Sequence, residues 1–292
     1  MPRVKTCVFK TLFAEFKEII AKTSCFSYFI KEKRLTDSSG VQIACEFVAI
    51  KNLAESSKQA TIWQALAISS NVAAVRLIKK SGIDAVIQTA REMGISTPLA
   101  SDMTIALGSN GVKLYDMVVA YGAFANGGFR VRPYCVERVE NSRGVTIYEN
   151  SGPKIVKVIN FETAAGMTYM LRKVVEVGTG KAANCAPNVA GKTGTTTDTR
   201  DLWFVGYTPS LVTGCWVGGE ERSIHFDRMI DGQGATAALP IYGLYMKKVY
   251  ADTSLPYKQS EKFDIPRGFD LCEGASRRGA YFDESEEDVS AD

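Results

Sequence analysis

One stretch of seven residues combines a cation, hydroxyl groups and glycines in a pattern suited to binding a carboxylate. It runs Gly191-Lys192-Thr193-Gly194-Thr195-Thr196-Thr197. Threonine is β-branched and favours a strand, and Gly194 has no side chain, so a ligand can approach the backbone there. Lys192 supplies positive charge for a carboxylate, and an open strand edge pairs with a peptide main chain. The stretch therefore predicts a strand that binds a peptide ending in a carboxylate, although a Lys-Thr-Gly triplet alone is also typical of a polar turn.

A second polar group, Ser69-Ser70-Asn71, interrupts a helical pattern well before this strand. Apolar residues recur at helical spacing on both sides of it, over residues 61–67 and 72–80. By itself such a break predicts only the end of one helix and the cap of the next.

Composition narrows the class of protein. The chain has 292 residues, of which 46% are hydrophobic, enough for one large or two small domains with a sizeable core. A formal charge of +3, with no basic stripe, argues against a nucleic-acid partner. Seven scattered cysteines without a C-x-x-C spacing predict neither a metal site nor a disulfide framework, and no motif requires a cofactor. The single histidine, His225, is interpreted as a loop residue. The sequence contains no apolar run long enough to predict a membrane span, and its N-terminus lacks the apolar core of a signal peptide.

Hydrophobic periodicity predicts a series of helices, several of them preceded by a capping residue or followed by glycine. The first is amphipathic and covers residues 7–20, after which residues 23–60 show no clear period. The remaining helices are predicted over residues 61–67, 72–80, 83–93, 113–126, 160–178 and 235–249.

The sheet is predicted near the end of the chain. A hairpin is expected over Arg130–Tyr148, with its turn at 141–144. Three strands then follow, Val189–Thr197, Leu202–Tyr207 and Leu211–Gly218, and their short connections predict an antiparallel meander. Helices followed by a small antiparallel sheet and a closing helix indicate an α+β fold.

At this point the residues resemble a known family, the transpeptidase domains of class A (bifunctional) penicillin-binding proteins. The strand Gly191–Thr195 is similar to the family's Lys-Thr-Gly motif, with Val177–Gly180 before it and Asp201–Pro209 after it. Residues Ala65–Leu77 carry the family's Ser-x-Asn motif, and Ala120–Gly128 is also similar. The pieces come in the family's order, and such a combination is more specific than any single motif.

The resemblance implies a fold and an activity. The expected fold is the penicillin-binding protein/β-lactamase-like transpeptidase fold, an antiparallel sheet packed by helices plus an all-helical subdomain, here lacking its first sheet strands. The implied enzyme is a serine-type D,D-transpeptidase that cross-links peptidoglycan stem peptides through an acyl-enzyme. The implied partners are a stem peptide ending in D-Ala-D-Ala, β-lactam antibiotics that imitate it, and other cell-wall synthesis proteins.

The resemblance also assigns roles to site residues. Lys192 and Thr193 would hold the terminal carboxylate beside Gly194. The N–H of Thr195 would form half of the oxyanion hole, and its hydroxyl would also reach the carboxylate. Ser69 would carry a proton to the leaving amine, and Asn71 would hold the substrate's peptide group.

The family's nucleophile, the serine of Ser-x-x-Lys, is not found upstream of Ser-x-Asn. Cys7-Val8-Phe9-Lys10 stands in its place, so that Cys7 occupies the serine position and Lys10 the lysine position. In one interpretation Cys7 is a thiol nucleophile whose pKa is lowered by Lys10 and a helix N-terminus. In another the domain binds without turnover. In the third, which we favour at this stage, the reading frame is truncated and residues 1 to 50 are degenerate.

The predicted organisation has three parts. Residues 1–50 form a poorly matching segment, residues 51–252 the transpeptidase domain, and residues 253–292 a polar, acidic and disordered tail. The alternatives in function are a non-catalytic penicillin- or stem-peptide-binding module and a D,D-carboxypeptidase or β-lactamase-like hydrolase. The parent protein is expected at the periplasmic face of the bacterial cell membrane, although this sequence shows no signal or membrane segment.

Overall fold

The computed structural model describes residues 47–52, 55–183, 188–221 and 223–265. The helices and strands follow one another in an α+β arrangement. The first half of the chain contains β1 (Phe47–Asn52), β2 (Glu55–Thr61), α1 (Ile62–Ala67), α2 (Asn71–Ser81), α3 (Ile83–Met93) and α4 (Leu114–Ala125). The second half contains β3 (Phe129–Val131), β4 (Arg138–Glu140), β5 (Thr146–Glu149), β6 (Ile155–Lys157), α5 (Phe161–Val177), β7 (Ala190–Thr195), β8 (Asp201–Tyr207), β9 (Val212–Gly218) and α6 (Ala238–Ala251).

The central sheet is the predicted antiparallel meander, in the order β7-β8-β9. Every residue of β8 is buried, which explains its nearly continuous apolar sequence. Lys192 lies opposite Val205, and Gly194 opposite Trp203. Among the described residues β7 is an edge strand, so one row of its backbone groups is left unpaired by the sheet.

Three helices, α4, α5 and α6, pack against the sheet and contribute to the core. The helix α5 begins where Asn160 Oδ1 accepts a hydrogen bond from Thr163 N at 2.7 Å, and it ends at Gly178, as the sequence predicted. It packs against α1 and β7. The helix α6 packs on β8 and β9, where the rings of Phe204 and Tyr242 meet edge to face at 4.8 Å. With 17 residues, α5 is the longest described helix, and none of the helices described has the length and apolar character needed to cross a membrane.

The helices α2 and α3 and the short 3-10 helix Met103–Leu107 enclose a smaller apolar cluster. Ile78, Val86, Ile87 and Ile105 are buried in it. The carboxylate of Asp116 is buried and accepts hydrogen bonds from the amide and hydroxyl of Ser96, at 2.8 and 2.7 Å. Because those donors replace water, this buried charge is satisfied within the protein.

The strands outside the meander differ most from the sequence prediction. The hairpin of β4 and β5 turns at 141–144 as predicted, and Asn141 Oδ1 accepts from the amides of Arg143 and Val145. However, β3 pairs with β6 rather than within this hairpin, and β1 pairs with β2 where no period was visible. The sequence Glu55-Ser56-Ser57-Lys58-Gln59 has no apolar alternation, which is why that strand was missed. The predicted helix over residues 7–20 lies outside the described residues.

Candidate active site

The turn between α1 and α2 presents the hydroxyl of Ser69. The backbone of Ser69 is left-handed, with φ of 58°, which is uncommon for a residue with a side chain. Ser70, not Ser69, caps α2, because its Oγ accepts from Ala73 N at 3.4 Å. The Ser69 hydroxyl is therefore available for another partner. Asn71 is the first residue of α2, two positions further on, and its side chain is exposed.

Lys192 is that partner. Its Nζ donates to Ser69 Oγ at 3.0 Å and to the carbonyl oxygen of Thr193 at 2.9 Å. The side chain is only 4% exposed, and burial lowers the pKa of Lys192 to about 7. Near neutral pH this amine therefore exchanges a proton readily while it contacts a hydroxyl, which is the property required of a proton relay.

The open edge of β7 begins beside this pair. The amide of Thr196 donates to Asp201 O, and therefore points toward β8. Successive amides of a strand point to opposite edges, so the N–H of Thr195 points to the open edge. Thr193 is buried, and its hydroxyl lies 2.7 Å from that of Thr179. A ligand lying along this edge therefore meets the backbone of Thr193 and Thr195 next to Lys192.

A short segment after α5 joins the Ser69 turn to β7. The amide of Thr179 donates to the carbonyl oxygen of Ala67 at 3.1 Å, at the end of α1, while its hydroxyl contacts Thr193. Gly178 lies so close to α1 that an added Cβ would overlap the Ala67 oxygen. Residues 177–180 were noted in the sequence only as part of the resemblance, and their bracing role was not predicted.

We expect Gly178→Ala to lower the free energy of unfolding by roughly 2 kcal/mol, because the new methyl group forces α1 away from α5. Chemical denaturation monitored by circular dichroism measures this loss. Gly122→Ala is the matched control, since a Cβ there has no heavy atom within 4 Å and a helical Gly→Ala change is stabilising by about 0.5–1 kcal/mol. Equal stability of the Gly178→Ala protein and the wild type would contradict the bracing role.

The predicted site residues divide into two groups. The structure brings Ser69, Lys192 and Thr193 into contact, with Asn71 at the adjoining helix start and Gly194 and Thr195 further along β7. Cys7 and Lys10 lie outside the described residues. His225 is exposed in the segment between β9 and α6, as the sequence predicted for a loop residue.

One contact of the site was missed by the sequence. The amide of Gly234, which precedes α6, donates to Thr195 Oγ1 at 3.0 Å. No motif marked Gly234, and the only local signal that could have found it is the pair of glycines at 232 and 234, since glycine permits a close backbone approach.

Comparison with known proteins gives a family and several relatives. Residues 16–214 match the family model described as the penicillin binding protein transpeptidase domain. Penicillin-binding protein 1A of Aquifex aeolicus is 37% identical over 190 residues, which cover 65% of this chain and 26% of that protein. Penicillin-binding protein 1A of Neisseria meningitidis is 31% identical over 229 residues, covering 76% of this chain and 27% of that protein. The chain thus spans about a quarter of the length of these relatives.

Solved structures show the same fold. Penicillin-binding protein 1A from Haemophilus influenzae superposes with a TM-score of 0.63 at 22% identity, over 77% of this chain and 41% of that one. The PonA1 protein from Mycobacterium tuberculosis in complex with penicillin V gives 0.59 at 23% identity, over 72% and 64%. These likenesses confirm the predicted α+β fold. The match to the family model includes 191–195 and Ser69 but begins after Cys7 and Lys10.

Proposed function

We propose that this chain, which belongs to the penicillin binding protein transpeptidase domain family, binds the D-Ala-D-Ala end of a peptidoglycan stem peptide and transfers its acyl group in cell-wall cross-linking. The contact of Lys192 Nζ with Ser69 Oγ at 3.0 Å, beside the open edge of β7, carries this proposal. This contact brings the Ser-x-Asn motif next to the Lys-Thr-Gly motif and supplies a proton relay beside the strand edge to which a peptide would bind.

Binding is proposed to occur by strand addition. The stem peptide pairs with the open edge of β7 at Thr193 and Thr195, and its terminal carboxylate is held by the Thr195 hydroxyl near Lys192. The Thr193 hydroxyl is buried against that of Thr179 and keeps this part of the strand in place. Asn71, exposed at the start of α2, holds the peptide group from the opposite side of the crevice. Gly194 presents no side chain that would block the peptide.

The chemistry is proposed to follow the family's two steps. For a chain that turns over, we adopt the first of the three interpretations, because it supplies the acyl acceptor that the other two lack. The Cys7 thiolate, with Lys10 having taken its proton, would then attack the penultimate carbonyl carbon, and the N–H of Thr195 would hold the oxyanion. The C–N bond breaks, and D-alanine leaves as an amine that takes its proton from Ser69, which is resupplied by Lys192. An amine of a second stem peptide then attacks the thioester, forms the new amide and releases Cys7.

The same crevice is proposed to accept β-lactams, as supported by the penicillin V complex of the structurally similar PonA1 protein. A β-lactam carries a carboxylate and a reactive amide in the arrangement of the acyl donor. Because peptidoglycan stem peptides lie outside the cytoplasmic membrane, we place the function at the periplasmic face of the cell membrane, with other cell-wall synthesis proteins as partners.

Labelling with a fluorescent penicillin tests the proposal. We expect one covalent adduct per chain, mapped by peptide mass spectrometry to Cys7 and abolished in Cys7→Ala, because Cys7 stands at the nucleophile position of the family's first motif. Cys135→Ala is the control, since that cysteine is exposed and belongs to no motif. Failure to label, or an adduct at another residue, would contradict the assigned chemistry. Product analysis with an added acceptor amine should show a new amide rather than only the free acid, which separates transfer from hydrolysis.

A further inference from the structure

Gly234 is fixed through both of its backbone polar groups. Its N–H donates to Thr195 Oγ1 at 3.0 Å, and its carbonyl oxygen accepts from Leu239 N at 2.9 Å. A side chain here would overlap the carbonyl oxygens of Gly194 and Trp203, which are paired across β7 and β8. Only glycine lets the backbone lie this close to the sheet. Gly234 therefore ties the start of α6 to the end of β7.

The direction of this hydrogen bond determines what the Thr195 hydroxyl can still do. A hydroxyl has one donor hydrogen and two acceptor lone pairs, and a backbone N–H can only donate. Thr195 Oγ1 must therefore be the acceptor toward Gly234, which leaves its hydrogen for a different partner. Among the described residues Gly234 is the hydrogen-bond partner that the structure gives to this hydroxyl, and Thr195 is only partly buried, so a ligand can reach it.

We propose that the Gly234 N–H positions the Thr195 hydroxyl as a donor to the terminal carboxylate of the bound peptide, an inference that rests on the proposed function. Because the Gly234 N–H occupies one lone pair of Thr195 Oγ1, the hydroxyl hydrogen is directed away from Gly234 and toward the peptide carboxylate. The same hydrogen bond restricts rotation of the hydroxyl. A preoriented donor to a carboxylate gives a stronger bond than a freely rotating one, because less freedom is lost on binding. Gly234 acts through Thr195 and is a positioning residue.

The segment that carries Gly234 is itself anchored at two points, and we call residues 226–234 the clamp segment. At one end Leu239 and Tyr242, just inside α6, are fully buried against the sheet. At the other end the hydroxyl of Thr199 donates to Phe226 O at 2.6 Å. Thr199 and its neighbour Asp198 both have left-handed backbones, with φ of 54° and 64°. The connection after β7 is therefore a strained one that the clamp segment holds in place.

The test is a double-mutant cycle read by equilibrium binding of an acetylated peptide ending in D-Ala-D-Ala, measured by calorimetry with the full chain. We expect Thr195→Val to weaken binding about tenfold, because a hydrogen bond to a charged group is lost while the shape is kept. Gly234→Ala should cause a similar loss. In the Thr195→Val background Gly234→Ala should cause no further loss, since its effect passes through the hydroxyl. Thr195→Ser, which restores the hydroxyl, should restore affinity.

A carboxamide-ended version of the same peptide separates positioning from general damage. Its weaker binding should be unchanged by both substitutions, because a neutral amide gains little from the oriented donor. If Gly234→Ala does not fold, Thr199→Val replaces it, since it releases the other anchor of the clamp segment without adding volume. Losses that add in the double variant, or that are equal for both peptides, would overturn the positioning role. Absence of any binding preference for the carboxylate by the wild type would instead overturn the proposed function.

Discussion

Lys192→Met is expected to lower the rate of covalent labelling by penicillin at least about a hundredfold. Methionine fills nearly the same buried space but can neither donate to Ser69 Oγ nor carry a proton. Proton transfer by a positioned side chain contributes about 10²–10⁴-fold to a rate. The leaving nitrogen of the lactam would have to be protonated by water instead. Stopped-flow or gel-based labelling over time gives the second-order rate constant for both proteins.

A matched control comes from the same substitution at a surface lysine. Lys173 lies on α5, where its Nζ contacts Glu176 Oε2 at 2.8 Å, and Lys173→Met should label at the wild-type rate. Ser69→Ala should reproduce the Lys192→Met defect, and the double variant should be no slower than either single one, since both groups belong to one relay. Additive losses for Ser69→Ala and Lys192→Met would show that the two side chains act separately.

The stability of the protein is expected to rise with pH between pH 7 and pH 10 because of Lys192. Burial lowers the pKa of Lys192 to about 7 in the folded protein, compared with 10.5 for an ordinary lysine. In this interval the unfolded chain keeps the proton that the folded protein has lost, so the unfolded state binds more protons and raising the pH favours folding. Lys192 therefore raises the free energy of unfolding by about 1.4 kcal/mol for each pH unit above its folded pKa, or by about 3 kcal/mol between pH 7 and pH 9.5.

The measurement is the difference in unfolding free energy between the wild type and Lys192→Met from urea titrations at pH 6.5, 7.5, 8.5 and 9.5. Taking the difference removes the titration of all other groups. Lys173→Met is again the control, because the hydrogen bond to Glu176 raises the pKa of Lys173, and its contribution is lost only at higher pH. A difference that stays flat up to pH 9.5 would show that the Lys192 ammonium is retained in the folded protein.

Local sequence signals predicted the elements that they control. The helix α5 begins after Asn160 and ends at Gly178, as expected, because a capping side chain and a glycine determine the helix end at which they stand. The meander was predictable since its connections are too short for any arrangement other than antiparallel neighbours. The pairing of β3 with β6, in which Phe129 lies opposite Lys157, was not predictable. The two strands are separated by the β4–β5 hairpin, and the hydrophobic pattern of a strand does not show which distant strand it pairs with.

The amino-acid sequence by itself determined which chemical groups are present and on which elements they stand. It placed a lysine and threonines on a strand, a serine and an amide at a helix break, and it carried the family's motifs in order. Those features depend on residues near one another in the chain.

Only the tertiary structure decided how these groups act together. Lys192 acquires its lowered pKa because the folded protein buries it, and it meets Ser69 across a separation of 123 residues. The orientation of the Thr195 hydroxyl depends on Gly234, 39 residues away, which is held by the packing of α6. Burial and long-range contacts are properties of the packed molecule, and no local pattern of residue types encodes them.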